Sequence, residues 1–136
     1  MRRSEFQFTN PNLTHLYFQI NDDYSSDSGE DKVNMNIQIN VRVKRDSRAD
    51  GTDANTAIVE VIAKVGSKEA NYPFYIEATE EAKFRWNEET LGEKDVNILL
   101  NQNAAALLLS YLRPIISNVT SSSPYGRFDL PFINLT

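Results

Sequence analysis

No cysteine occurs in the sequence, so neither a disulfide framework nor a thiolate metal site can form. There is one histidine, His15. A single imidazole without thiolates does not assemble a usual zinc site, and on a strand His15 reads as a solvent or interface residue rather than a catalyst. The five glycines are scattered, which excludes the GxxxxGKS phosphate loop and the GxGxxG dinucleotide turn. No serine stands in a GxSxG turn. Positive charge is also short: 14 Lys and Arg face 19 Asp and Glu, a net charge of −5. That balance argues against nucleic acid as the main partner, since phosphate binding requires a basic surface.

Long apolar runs are missing too. The longest, Ala104 to Leu109, is far short of a membrane span, so no membrane insertion is expected. Met1-Arg2-Arg3-Ser4-Glu5-Phe6 is basic but has no apolar stretch behind it; it does not read as a signal peptide, and the expected compartment is the cytoplasm. The Asn-x-Thr triplets at Asn12, Asn118 and Asn134 are then chance features of an Asn-rich chain. Asp46 to Gly51 faintly resembles a calcium loop, but Arg48 occupies a ligand position and no Glu closes it. The acid-rich Asn21 to Asp31 reads as a solvated loop. No cofactor and no enzymatic constellation is expected.

What is present is alternation. Val33, Met35, Ile37, Ile39, Val41 and Val43 fall on one face of an extended chain, with Asn34, Asn36, Gln38, Asn40, Arg42 and Lys44 on the other. This period of two predicts an antiparallel strand with one buried and one wet face. Leu16, Phe18 and Ile20 alternate in the same way with His15, Tyr17 and Gln19. Thr56 to Val65 is β-branched on both faces, which predicts a more central strand. Gly66-Ser67 then turns the chain into a fourth strand containing Tyr72, Phe74, Ile76 and Ala78, with Pro73 near its start. With no long helix between them, the four strands predict a meander of hairpins spanning about 13–84.

The period then changes. Ala104, Leu107, Leu108, Tyr111, Leu112, Ile115 and Val119 recur at helical spacing, predicting a helix over about 95–120 that Pro114 should kink or split. Ser121, Ser122, Ser123, Pro124 and Gly126 end it, and 127–136 reads as an apolar, extended segment. The expected fold is a single α+β domain over 1–136, a four-stranded antiparallel sheet packed against a long C-terminal helix.

Asn103 to Val119, followed by Arg127-Phe128-Asp129-Leu130-Pro131-Phe132-Ile133-Asn134, resembles the C-terminal half of SecB export chaperones. Tyr111 and Arg113 supply that family's Tyr-x-Arg unit, and Leu130 to Asn134 is similar to its L-x-x-P-φ-N-F segment. Pro114 follows the Tyr-x-Arg unit rather than preceding it, and no second helix is seen after Asn134, so the likeness is to a divergent relative. The resemblance implies an ATP-independent holding chaperone that binds unfolded polypeptides or preproteins as a homo-oligomer, a dimer or tetramer. It implies SecA or a toxin–antitoxin system as a further partner.

Tyr75 and Glu77 match the family's apolar-x-Glu docking unit for SecA, whereas His15 and Gln19 stand where the family has acids on its first strand. Phe84, Trp86, Leu107, Tyr111, Phe128 and Phe132 are candidates for a client or oligomer surface. For Phe84 and Trp86 the competing reading is a hydrophobic anchor between sheet and helix. Two other functions stay open on the residues alone: an interaction module with one dedicated partner, and a carrier of small apolar ligands.

Overall fold

The computed structural model describes residues 6–24, 35–69 and 71–135. The strands are β1 (Phe6–Phe8), β2 (Asn12–Ile20), β3 (Ile37–Ser47), β4 (Asp53–Gly66) and β5 (Phe74–Trp86). Helix α1 (Glu93–Ile98), a π turn (Leu99–Asn103) and helix α2 (Ala104–Ser121) follow one another directly. The α+β class expected from the sequence is the one found. Val33 and Asn34 of the alternating run, and most of the acid-rich loop, lie outside the described residues.

Several details differ from expectation. Tyr72 and Pro73 precede the fourth predicted strand, β5, rather than lying in it, because the carbonyls of both bind Asn21 in the turn. The sheet has five strands, because Phe6–Phe8 pairs with the far end of β5 (Phe6 with Trp86, Phe8 with Phe84). Three residues cannot display a period, so β1 leaves no trace in the hydrophobic pattern. Nor is the sheet a simple meander. β3, β4 and β5 are consecutive hairpin neighbours, but β2 pairs with β5, Leu16 opposite Ala78 and Ile20 opposite Phe74. The chain's second and third strands thus occupy opposite edges. β4, paired on both sides, is central as its β-branched faces imply.

Side-chain alternation gives the sheet two unlike faces. Val59, Val61, Ala63 and Val65 of β4 with Phe74, Ile76, Ala78 and Phe84 of β5 form the buried face. α2 packs on β4 and β5, sending down Ala105, Leu108, Leu112 and Ile116, all at 0 % exposure. Pro114 does not split α2, which runs through it; the interruption is the π turn at Leu99–Asn103, ahead of α2. The chain after Gly126 has no regular secondary structure, yet Leu130 is buried against the helix.

The β4–β5 turn is tied to the end of β2. Asn21 Nδ2 donates to the carbonyls of Ser67, Glu69 and Tyr72 at 2.8, 2.9 and 2.7 Å. Gly66 enters that turn at φ +81°, where a Cβ would stand 2.0 Å from the carbonyl oxygen of Phe74. Gly66→Ala is therefore expected to lower unfolding free energy by about 1–3 kcal/mol in a urea titration. Gly51→Ala, at φ +85° with open space around it, should cost less.

Candidate functional site

The open face of the sheet carries the most connected polar cluster. Glu77 of β5 lies opposite Tyr17 of β2 and Lys64 of β4. Tyr75 donates its hydroxyl to Glu77 Oε1 at 2.7 Å, His15 Nε2 stands 2.8 Å from Oε2, and Lys64 Nζ is 4.0 Å from Oε1. Lys68 lies over the rings of Tyr17 and Tyr75 at 4.8 and 5.7 Å. The Tyr75 hydrogen bond, with help from His15 and Lys64, holds the Glu77 carboxyl below its ordinary value. Burial, and then the bond to the carboxylate, pushes Tyr75 up to about 12. The pair thus faces away from the helix, as alternation required, but Glu77 has its hydrogen-bonding and charge partners within its own sheet.

The other face ends in an apolar margin. Phe8, Leu13 and Leu16 project on the side of the sheet that bears the helix, yet each is more than 40 % exposed. The outer edge of β2 pairs with no other described strand. A bulge between Leu13 and His15 offsets the register near the start of β2, next to Glu80 of β5. Glu80 is 3 % exposed, its Oε2 has no hydrogen-bond partner, and burial raises its pKa.

A third feature joins helix and tail. Arg113 Nε donates to the Leu130 carbonyl at 3.1 Å, Ser117 Oγ bonds Asp129 Oδ1 at 2.7 Å, and Thr120 Oγ1 accepts the Phe128 amide at 2.8 Å. Ala106, Leu109, Ser110 and Arg113 line a cleft of about 80 Å³ with Pro131, Phe132 and Ile133. Arg113 also sits 5.6 Å from the Phe132 ring, whose outer side leaves the residue 91 % exposed.

These features lie on an architecture already known. The chain aligns with a SecB-like chaperone of Mycobacterium tuberculosis, solved in complex with a ChAD peptide from the HigA1 antitoxin, at TM-score 0.70 and 11% identity, covering 95% of this chain and 88% of that one. The chain has a SecB-like fold. A Streptococcus agalactiae protein of unknown function aligns at TM-score 0.52 and 13% identity, over 93% of this chain and 97% of its own. No protein-family model matches the sequence, and no curated protein matches it significantly.

Within this SecB-like fold the two C-terminal motifs meet, because Arg113 of the Tyr-x-Arg unit binds Leu130 of the Pro–Asn segment. Tyr111 is exposed and Leu107 half-buried on the helix, while Phe128 packs edge-on against Phe74 at 6.1 Å. Phe84 and Trp86 are 1 % and 3 % exposed. That burial fits the anchor reading and leaves neither of them surface for a client. Part of the surplus apolar surface of α2 is covered by the chain's own tail, through Leu130. Among the described residues no group of three His, Cys, Asp or Glu side chains is placed to hold a metal ion, and no helix is long and apolar enough to cross a membrane.

Sequence reasoning passed over Phe8, Leu13, Leu16 and Glu80. For Glu80 a signal existed: it occupies the buried-face position between Ala78 and Ala82.

Because its folded pKa is depressed, Glu77 contributes stability above its ordinary value of 4.5 that is lost as pH falls through the lowered one. In Tyr75→Phe the principal cause of that depression is gone. The Glu77 carboxyl should then titrate at higher pH than in the wild type, as read from its carbon resonance in an NMR titration.

Proposed function

We propose that this protein is a non-enzymatic cytoplasmic chaperone that holds extended, unfolded polypeptide segments without ATP. The observation that carries the reading is the margin of Phe8, Leu13 and Leu16 beside a strand edge that pairs with no other described strand, on a SecB-like fold. Edge backbone and apolar side chains together accept an extended chain with little regard to its sequence. A small apolar ligand is less well served, because Val61, Ile76, Leu108, Leu112 and Ile116 fill the space between sheet and helix at 0 % exposure.

The antitoxin peptide bound by the mycobacterial neighbour favours the dedicated form of this activity, with one partner protein as the main client. The export form, in which SecA is the recipient, draws less support. Its docking residue Glu77 is engaged by His15, Tyr75 and Lys64. His15 and Gln19 replace first-strand acids, so steering of a basic partner segment is weakened.

The test is aggregation of a chemically unfolded client followed by light scattering, with and without ATP. Equal suppression in both is expected; strict nucleotide dependence, or no suppression at stoichiometric amounts, argues against the proposal. The same reading includes a homo-oligomer, a dimer or tetramer, since Tyr111 and Ile98 on the helices stay exposed in the single chain. Multi-angle light scattering at micromolar concentration should give a multiple of 15.5 kDa, and a stable 15.5 kDa particle would refute that part.

A further inference from the structure

One end of the open face collects hydrogen-bond donors. Two rows of side chains cross the strands there, at the opposite end of β5 from Tyr75. Gln7 of β1, Arg85 of β5 and Thr56 of β4 stand opposite one another in the first row. Thr9, Lys83 of β5 and Ile58 of β4 form the second, with Lys44 of β3 beyond Ile58. Gln7, Phe8, Thr9, Thr56, Lys83 and Arg85 line an open groove of about 400 Å³.

The bonds inside this groove use its acceptors and leave its donors. Gln7 Oε1 accepts from Arg85 at 3.0 Å, so the amide nitrogen is the remaining polar end of that side chain. Thr9 Oγ1 accepts the backbone amide of Lys83 at 3.1 Å and keeps its hydroxyl proton to donate. Thr56 gives its own proton to Asp46 at 2.6 Å, and Asp46 stands 3.5 Å from Lys83. Among the described residues Arg85 has no carboxylate partner, and Gln7 engages only one of its guanidinium nitrogens. The chain carries a net charge of −5, yet here Lys44, Lys83 and Arg85 gather around a single acid, Asp46.

The next row inward bounds the patch. Glu60 and Glu81 lie opposite each other there, so an extended acidic chain crossing the sheet would run into like charge. A compact anion would not. A phosphate group offers three acceptor oxygens, no backbone of its own and nearly two negative charges, which matches donors converging from neighbouring strands.

We propose that this groove binds the phosphate group of a phosphate monoester, with Arg85 and Lys83 as its cations and Gln7 and Thr9 as neutral donors. Strand pairing holds Gln7 beside Arg85 and Thr9 beside Lys83 before the ligand arrives, so little ordering is required on binding. Asp46 competes with the ligand for Lys83. The inference stands apart from the holding activity, whose margin projects from the other side of the sheet.

The experiment uses the full chain and follows the amide resonances of Gln7, Thr9, Lys83 and Arg85 during titration, at constant ionic strength set with sodium chloride. The probes are inorganic phosphate, a phosphoserine pentapeptide and the same pentapeptide with plain serine. Phosphate should shift these four amides saturably, with a Kd of about 1 mM or tighter. Arg85→Gln should weaken it about fivefold or more, through loss of a charge-assisted contact. Asp46→Asn can still accept the Thr56 hydroxyl but releases Lys83, and should tighten it. Lys94→Gln removes one positive charge from α1, on the helix side of the sheet, and should leave the Kd as in wild type. Saturable binding of the phosphoserine peptide as well as phosphate assigns the site to phosphate carried on polypeptide; phosphate binding without it assigns the site to small ligands, and either supports the proposal. Shifts that do not saturate, equal binding of the two peptides, or equal weakening by Arg85→Gln and Lys94→Gln would reduce the effect to net charge and overturn it.

Discussion

One helical rod has to cover a sheet wider than itself. Strands lie about 4.8 Å apart, and a helix with its side chains is about 10 Å across, so a single helix shields roughly two strands. In this chain α2 takes β4 and β5, the pair with the most fully buried side chains. The segment from Glu93 through the π turn reaches towards β3, and Phe128 of the tail closes over Phe74. The β1–β2 edge receives the least cover, which is why Leu13 and Leu16 stay exposed on a face whose neighbours are dry. Exposure there follows from counting widths, with no need for an irregular loop or a special motif.

The two faces of the sheet solve their polar problems in opposite ways. On the open face Glu77 collects Tyr75, His15 and Lys64, and its charge is held in place. On the covered face Glu80, three residues along the same strand, leaves its Oε2 without a hydrogen-bond partner among the described residues. Alternation alone separates them, since an odd offset along a strand moves a side chain from one side to the other. The same acid type is fully engaged on one face and under-satisfied on the other.

Much of this was legible in the residues. The alternation through Ile37 to Val43, the β-branched run to Val65 and the helical spacing of Leu108 and Leu112 each record a local period, and each of these segments lies in the element its period predicts, although Met35 stays outside β3. What the residues could not convey was partnership. Period two says which side chains of β2 are buried but not whether β3 or β5 lies beside it, because either neighbour satisfies the same pattern. The resemblance picked out Arg113 and Leu130 in separate motifs but not their union, as a carbonyl acceptor has no signature in sequence. Phe84 and Trp86 left a client surface and a hydrophobic anchor both open in sequence, and their even positions beside Phe74 and Ile76 place them on the buried side.

The pairing of β2 with β5 also has a consequence for how the molecule is made. Phe18 meets Ile76 across nearly half the chain length, and closing so long a loop is slow compared with forming the neighbouring hairpins. A ribosome delivers β2 early and β5 late, so the N-terminal strand waits without its partner while the middle of the protein emerges. For that interval Leu16, Phe18 and Ile20 form an unattended adhesive strip, the same kind of object that the finished protein is proposed to shelter in others.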